Sequence, residues 1–261
     1  MTKVINIPGT DSSEFYFDVS QGRIPEKSSI LKFSTNENVS SSWQDVWSKG
    51  GTLVHLQTAA TMEAISSSAN DTAAGTGART IQIEGLDSSF NPITEVITLN
   101  GTSASTATTQ PFLRVYRAYV LTCGAYGGVN AGTITIRVSG AGSTQAEIPL
   151  IESVGTSQTL MSHYTTPANT EAYIVGMHYA VSSGKTVNIS FEMRLNADNT
   201  TTYSPWRTVL HIHGVAGDAS LLPPIPIKIP PKTDLRARVK DTGGAGGEAV
   251  WDYQIILVEG E

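Results

Sequence analysis

The chain has 261 residues, 15% of them charged, with one cysteine and a formal net charge of −6. Low charge beside 39% apolar residues is not a disorder signature, and a net-negative chain lacks the basic face that nucleic acid or an anionic membrane demands. Cys123 has no intramolecular partner for a disulfide, no apolar run approaches the ~20 residues of a membrane span, and Met1–Pro8 is too short and polar for a secretory segment, so synthesis in the cytoplasm is expected.

Residues 1–50 read as an extended N-terminal arm. Phe15–Val19 is expected as an edge strand and Ile24–Lys27 as a turn. Ser41–Trp47 is the one helix-like patch: Trp43 and Trp47 stand four apart on one face, and Gly50-Gly51 ends it. Both indoles are expected outside the sandwiches, clamping the arm onto a neighbouring domain or subunit.

A β-sandwich is expected over residues 51–140, with strands at Thr52–Gln57, Thr80–Leu86, Thr94–Leu99, Phe112–Thr122 and Thr133–Val138. The stretch Ser66–Thr80, small and polar, reads as a long ordered loop feeding a strand. Asn91-Pro92 and Asn100-Gly101 are hairpin turn dipeptides, and Ser139–Thr144 reads as a linker.

Residues 146–261 repeat the rhythm as a second, jelly-roll-like β-sandwich, giving an all-β chain of two tandem sandwiches behind an arm. Its strands are Thr159–Tyr164, Ala172–Val181, Thr186–Leu195, Thr208–His213, Ile225–Ile229, Asp234–Lys240 and Val250–Val258, with turns every 8–12 residues. Ser182–Lys185 reads as a four-residue hairpin. Pro223–Pro231 belongs on a sheet edge or in an extended crossover, because proline gives no ladder donor. Trp251 alternates with Tyr253 and Ile255 and is expected in the core.

His211 and His213 fall on one strand face with Asp218 five beyond, which resembles the first metal motif of cupins. No histidine follows His213 to supply a second motif, so these read as polar residues on a solvated face, and neither metal nor cofactor is expected. No Gly-x-Ser-x-Gly elbow and no phosphate-binding Gly-rich loop with Lys-Ser/Thr is present, and no catalytic residue is assigned. In Asp234–Lys240, period-2 geometry puts Arg236, Arg238 and Lys240 on one face and Leu235, Ala237 and Val239 on the other. The cations either pair across strands with acids such as Glu192 or Asp252, or dock an acidic partner surface. Tyr203 and Trp206, at a loop-to-strand junction, either plug the end of the sandwich or stack on a sugar.

Ser66–Asp71, Gly75–Thr80, Glu84–Asp87, Thr98–Gly101, Phe112–Arg114 and Asn130–Ile136, followed by Gln158–Met161, Tyr164–Asn169, Ala172–Ile174, Pro226–Leu235 and Ile255–Val258, resemble in order a family of virion structural proteins of tailed bacteriophages infecting aquatic bacteria. The resemblance runs from about residue 55 to the end and implies a particle component without enzymatic residues. Thr200–Trp206 is richer in polar and aromatic residues than that pattern. The expected function is a multi-copy capsid decoration or cement protein, located in the virion. Its partners would be further copies of itself, as a trimer, and the major capsid protein. The alternative is a carbohydrate-binding tail or fibre tip using Tyr203 and Trp206.

Overall fold

The computed structural model describes residues 15–199, 201–202, 204–243 and 246–260. The chain is nearly all β, as the alternation predicts. Among the described residues one short helix comes first, α1 (Phe15–Ser20), where an edge strand was expected. Five residues cannot separate the two periods. Here helical geometry turns Val19 onto the sheet, against Ile24 and Ile256, while Phe15, Tyr16 and Phe17 stay exposed. Gly22, at φ +67°, ends the helix: its N–H reaches Val19 O at 3.0 Å, and Arg23 N–H reaches Asp18 O at 2.9 Å.

The strands that follow are β1 (Lys27–Lys32), β2 (Thr35–Val39), β3 (Gln44–Asp45), β4 (Met62–Ser66), β5 (Ala78–Leu86), β6 (Pro92–Thr98), β7 (Arg114–Cys123), β8 (Ile134–Val138), β9 (Thr144–Ile148), β10 (Leu150–Ile151), β11 (Val154–Gly155) and β12 (Tyr164–Thr165). Then come β13 (Thr170–Val181), β14 (Val187–Arg194), β15 (Arg207–Val215), β16 (Asp218–Leu221), β17 (Ile227–Ile229), β18 (Asp234–Asp241) and β19 (Gly247–Glu259). One six-stranded sheet runs β1-β19-β13-β16, with β17 on β13 and β2 on β19. A five-stranded sheet runs β12-β18-β14-β15, with β3 on β18. Two three-stranded sheets, β4-β8-β9 and β6-β5-β7, come from residues between β3 and β12.

This pairing revises the expected order. Residues 27–45, expected in an arm, are strands of the same two sheets as the C-terminal half, with Lys27 opposite Val258 and Asp45 opposite Arg238. The six strands β4 to β9 between them, which form the two three-stranded sheets, are an insertion rather than the first of two units in tandem. Ser139–Thr144, expected as a linker, is the turn of the β8–β9 hairpin, where Val138 N–H meets Ser143 O at 3.0 Å. Ser182–Lys185 joins no hairpin: β13 and β14 lie in different sheets, so the turn carries the chain from one to the other. Asn91-Pro92 does close the β5–β6 hairpin, whereas Asn100-Gly101 bridges back to the 66–80 loop. The proline-rich stretch contributes only β17, which pairs with β13 alone.

Two apolar cores result. One fills the space between the six- and five-stranded sheets, where Phe191 lies 5.6 Å from Trp251 and 5.1 Å from Tyr253. The other lies between the two three-stranded sheets, built on Ile81, Ile83, Phe112, Ile134 and Ile148. The 66–80 loop is organised by the buried Asp71 carboxylate, which accepts from the amides of Ala78, Ala131 and Gly132 and from the Ser66 hydroxyl. Gly77 allows this approach, since a Cβ there would stand 2.3 Å from Asp71 Oδ1.

Candidate functional site

β18 carries the predicted stripe, and its apolar side is fully buried: Leu235, Ala237 and Val239 all face the core. The other side is not an open docking face. Arg236 is buried and grips Glu192 on β14, with Nη2 at 2.8 Å and Nε at 3.0 Å from Oε2, while Nη1 lies 3.7 Å from Asp45 Oδ1. Arg238 Nε stands 3.4 Å from the same Asp45 oxygen, and its Nη2 donates to Trp43 O. Lys240 faces Asn188 across β14. The cross-strand pairing with Glu192 is therefore present, whereas Asp252 instead accepts from the Ser34 amide. The segment β3–Gln57 of the same chain covers Arg236, which is 7% exposed, while Arg238 keeps 22% of its side chain exposed.

The indoles divide. No helix forms over Ser41–Trp47: Ser40 and Ser42 make a turn, and Gln44 and Asp45 pair with β18. Long-range pairing outweighs the weak local helical pattern here. Trp47 is 3% exposed and packs into the second core, so it clamps nothing outside its own chain. Trp43 is half-buried against the edge strand β15, 5.6 Å from His211, and Arg238 lies over its ring. His211 and His213 do share a face, their rings 4.3 Å apart. Among the described residues no group of three or more His, Cys, Asp or Glu side chains converges on a point.

Thr52–Gln57, expected as a strand, is irregular and forms one wall of a cavity of about 350 Å³. The wall is fixed by the buried Asp45, whose Oδ2 accepts from Leu53 N–H at 2.8 Å and lies 3.0 Å from His163 Nε2. Burial pushes the Asp45 carboxyl up, but His163 and Arg236 outweigh it and hold it low. Behind the lining Arg114 and Arg194 lies a second buried carboxylate, Asp234, which accepts from Arg114 (Nε 2.9 Å, Nη2 3.3 Å), from Arg194 (Nε 3.0 Å, Nη2 2.5 Å) and from Thr165 Oγ1 at 2.7 Å. Burial again pushes this acid up, and His55 with the guanidinium groups of Arg114 and Arg194 drives it well below the ordinary carboxylate range. Arg114, on β7, also donates to Leu56 O and Leu113 O. It thus clasps the inserted sheets to the five-stranded sheet.

His55 lines the cavity. Burial, against the pull of Asp234, lowers its imidazole to about 3, so it is neutral at pH 7, and among the described residues Nε2 is buried without a partner. Trp206 stands opposite, half-buried, with the Arg236 guanidinium carbon 3.9 Å and that of Arg194 4.9 Å from its ring centroid. Trp206 is therefore a stacked wall rather than a plug or an open sugar platform. Tyr203 lies outside the described residues. Asp45, His55, Arg114, His163 and Asp234 all escape sequence reasoning as site residues. Arg114 and Asp234, 120 positions apart, leave no local spacing to find them by.

No protein-family model and no curated protein sequence matches the chain. Among solved structures it is similar to the infectious bursal disease virus VP2 subviral particle, at 11% identity and a TM-score of 0.28, covering 89% of this chain and 72% of that one. A D431N mutant VP2 of the same virus in T=1 particles gives 12% identity and a TM-score of 0.23, over 99% and 80%. An isomalto-dextranase of Arthrobacter globiformis T6 gives 14% identity and 0.22, over 85% and 36%. At these TM-scores the likeness bears on neither the site nor the function.

Proposed function

We propose that the protein is a non-enzymatic structural component of a virion, a multi-copy decoration or cement protein that stabilises the particle through subunit contacts. The observation that carries this reading is the outer face of the six-stranded sheet. There Val175, Ile256 and Val258 meet the exposed ring of Tyr16 around an apolar recess of about 350 Å³. Phe15, Tyr16 and Phe17 are 44%, 59% and 48% exposed, and Leu222 and Ile225 on the neighbouring loop are 77% and 79% exposed. Contiguous exposed apolar surface of this kind marks contact with another macromolecule. The buried charges are meanwhile committed to one another across the chain's own sheets, which suits a rigid building unit. The order of motifs resembling tailed-phage virion proteins supports the same reading, with further copies and the major capsid protein as partners. Quantitative mass spectrometry of purified particles tests it: a copy number comparable to the major capsid protein is expected, and absence from purified particles refutes it. The second reading, a scarce tail or fibre tip that binds host carbohydrate, is favoured by the polar side chains of Gln57, Asn196, Asn199 and Ser204 that line the cavity, and predicts a few copies per particle.

A further inference from the structure

Along β19 the outer row alternates Val258, Ile256, Gln254 and Asp252, while Ile255, Tyr253 and Trp251 face the core. Three recesses follow this row. The first, about 350 Å³, lies beside Phe15 and Tyr16 of α1, and the second, about 250 Å³, shares Tyr16, Val175 and Ile256 with it. The third, about 110 Å³, shares Leu31 and Gln254 with the second and ends at Leu222. Shared walls make them one trough. Phe15, Tyr16, Leu31 and Leu222 line it, and Ile225 precedes Pro226, which lines the first recess. At 44%, 59%, 45%, 77% and 79% exposed, these five residues show the equivalent of about three whole side chains. At ~150–250 Å² for a large side chain, that is roughly 500 Å² of apolar surface. A standard interface buries about 800 Å² per partner, a little over half of it apolar, or about 450 Å². The trough thus carries enough for one full interface.

Charge and shape point to the occupant. The charged residues lining the trough are Lys27 and Asp252, one of each sign, and Lys228 and Glu171 beside it are paired at 2.6 Å. The whole chain carries −6, whereas here a second copy meets no excess of like charge. Lys27 stands opposite Val258 at one end of the outer row, and Asp252 is six residues along at the other. An in-plane two-fold axis crossing β19 at Ile255 carries the Lys27 end of one copy over the Asp252 end of the next, and does so twice. The same turn sets α1, which packs on Ile256 through Val19, against the recess between Leu31 and Leu222 of the second copy.

We infer that the trough docks the same trough of a second copy, giving a two-fold dimer in place of the trimer expected from sequence. This rests on the reading of the outer face as a contact surface and names what covers it. Sedimentation equilibrium of the full chain should give a dimer. Leu222→Glu and Ile225→Glu, at exposed loop positions, should each raise the dissociation constant at least about tenfold with an unchanged thermal midpoint, because each buries an unpaired charge in the contact. Lys27→Glu turns both charged pairs repulsive and should raise it about threefold or more. A monomer at every concentration, a trimer, or a dimer that any of the three variants leaves at full strength overturns the inference. A monomer in which Leu222 and Ile225 are shielded from carbene labelling gives the trough to residues 1–14 of the same chain. A monomer captured by purified major capsid protein through Leu222 gives it to that partner, and both results also overturn the dimer. Copy number in particles is a separate measurement: an abundant monomer keeps the structural role without the dimer, and a dimer absent from particles does the reverse.

Discussion

Replacing Asp234 by Asn tests the clasp between the inserted sheets and the five-stranded sheet. The carboxylate is fully buried and holds four guanidinium contacts, two from Arg114 and two from Arg194. Asn keeps the shape and the Thr165 contact but removes the charge, so two guanidinium groups face a neutral amide. Breaking a buried pair from one side costs about 3–5 kcal/mol. The two arginines share that cost unequally. Arg194 is 20% exposed and can rehydrate, whereas Arg114 is 4% exposed and retains only the carbonyls of Leu56 and Leu113. Arg194→Met alone should therefore cost about 1 kcal/mol, because the Arg114 pair survives. The pH dependence separates charge from packing. Asp234 titrates lower in the folded chain than in the unfolded one, so its stabilisation is present above the unfolded value of ~3.9 and drains as pH falls toward the folded value. The Asn variant carries no such proton, and the gap between the two proteins should narrow from pH 7 to pH 3. Urea unfolding followed by tryptophan fluorescence and circular dichroism at both pH values measures this. A loss under about 1 kcal/mol at pH 7, or a gap that does not change with pH, would refute the clasp as argued.

Lys32 is buried with its ammonium donating to Tyr116 O, and burial, with Arg117 second, lowers it from 10.5 to about 7. The unfolded chain thus binds the extra proton between pH 7 and 10.5, stability rises with pH across that window, and Lys32→Met should flatten the rise and stabilise below pH 7; superimposable pH series would count against it. Gly77→Ala forces a Cβ to 2.3 Å from Asp71 Oδ1 and 2.9 Å from Ala131 Cβ, and should cost roughly 1–3 kcal/mol in thermal unfolding; an unchanged midpoint would show that the loop yields freely. Serine at Phe15, Tyr16 and Phe17 together should leave the unfolding midpoint nearly unchanged and weaken self-association in sedimentation velocity; association equal to the parent's would remove these rings from the contact surface.

The legible parts of this fold are those where one period persists. Asp234–Lys240 and Val250–Val258 alternate long enough to fix both strand and face, and proline spacing alone puts Ile227–Ile229 at an edge. Short or mixed segments are lost to partners far away. Phe15–Val19 is five residues long, and Ser41–Trp47 takes its shape from β18, nearly two hundred residues on. The site was half visible. The stripe on β18 and the Trp206 rim stand out in sequence, whereas Asp45, which neutralises that stripe together with Glu192, and Asp234, which pairs with Arg114 and Arg194, look like turn or strand-end residues until the sheets bring them against those arginines. A buried ion pair has no periodicity of its own.

β19 lies between β1 and β13, so the outer apolar face does not exist until it arrives. Ser34 and Asp252, joined across that pairing, are 218 positions apart. At a synthesis rate of about 5–20 residues per second the early strands wait roughly 10–45 s for their partner, while the inserted sheets, closed by nearer contacts, have time to form. A ribosome-bound or broken chain would thus lack the finished outer face, and only polypeptides made through β19 would present the surface proposed above for subunit contact.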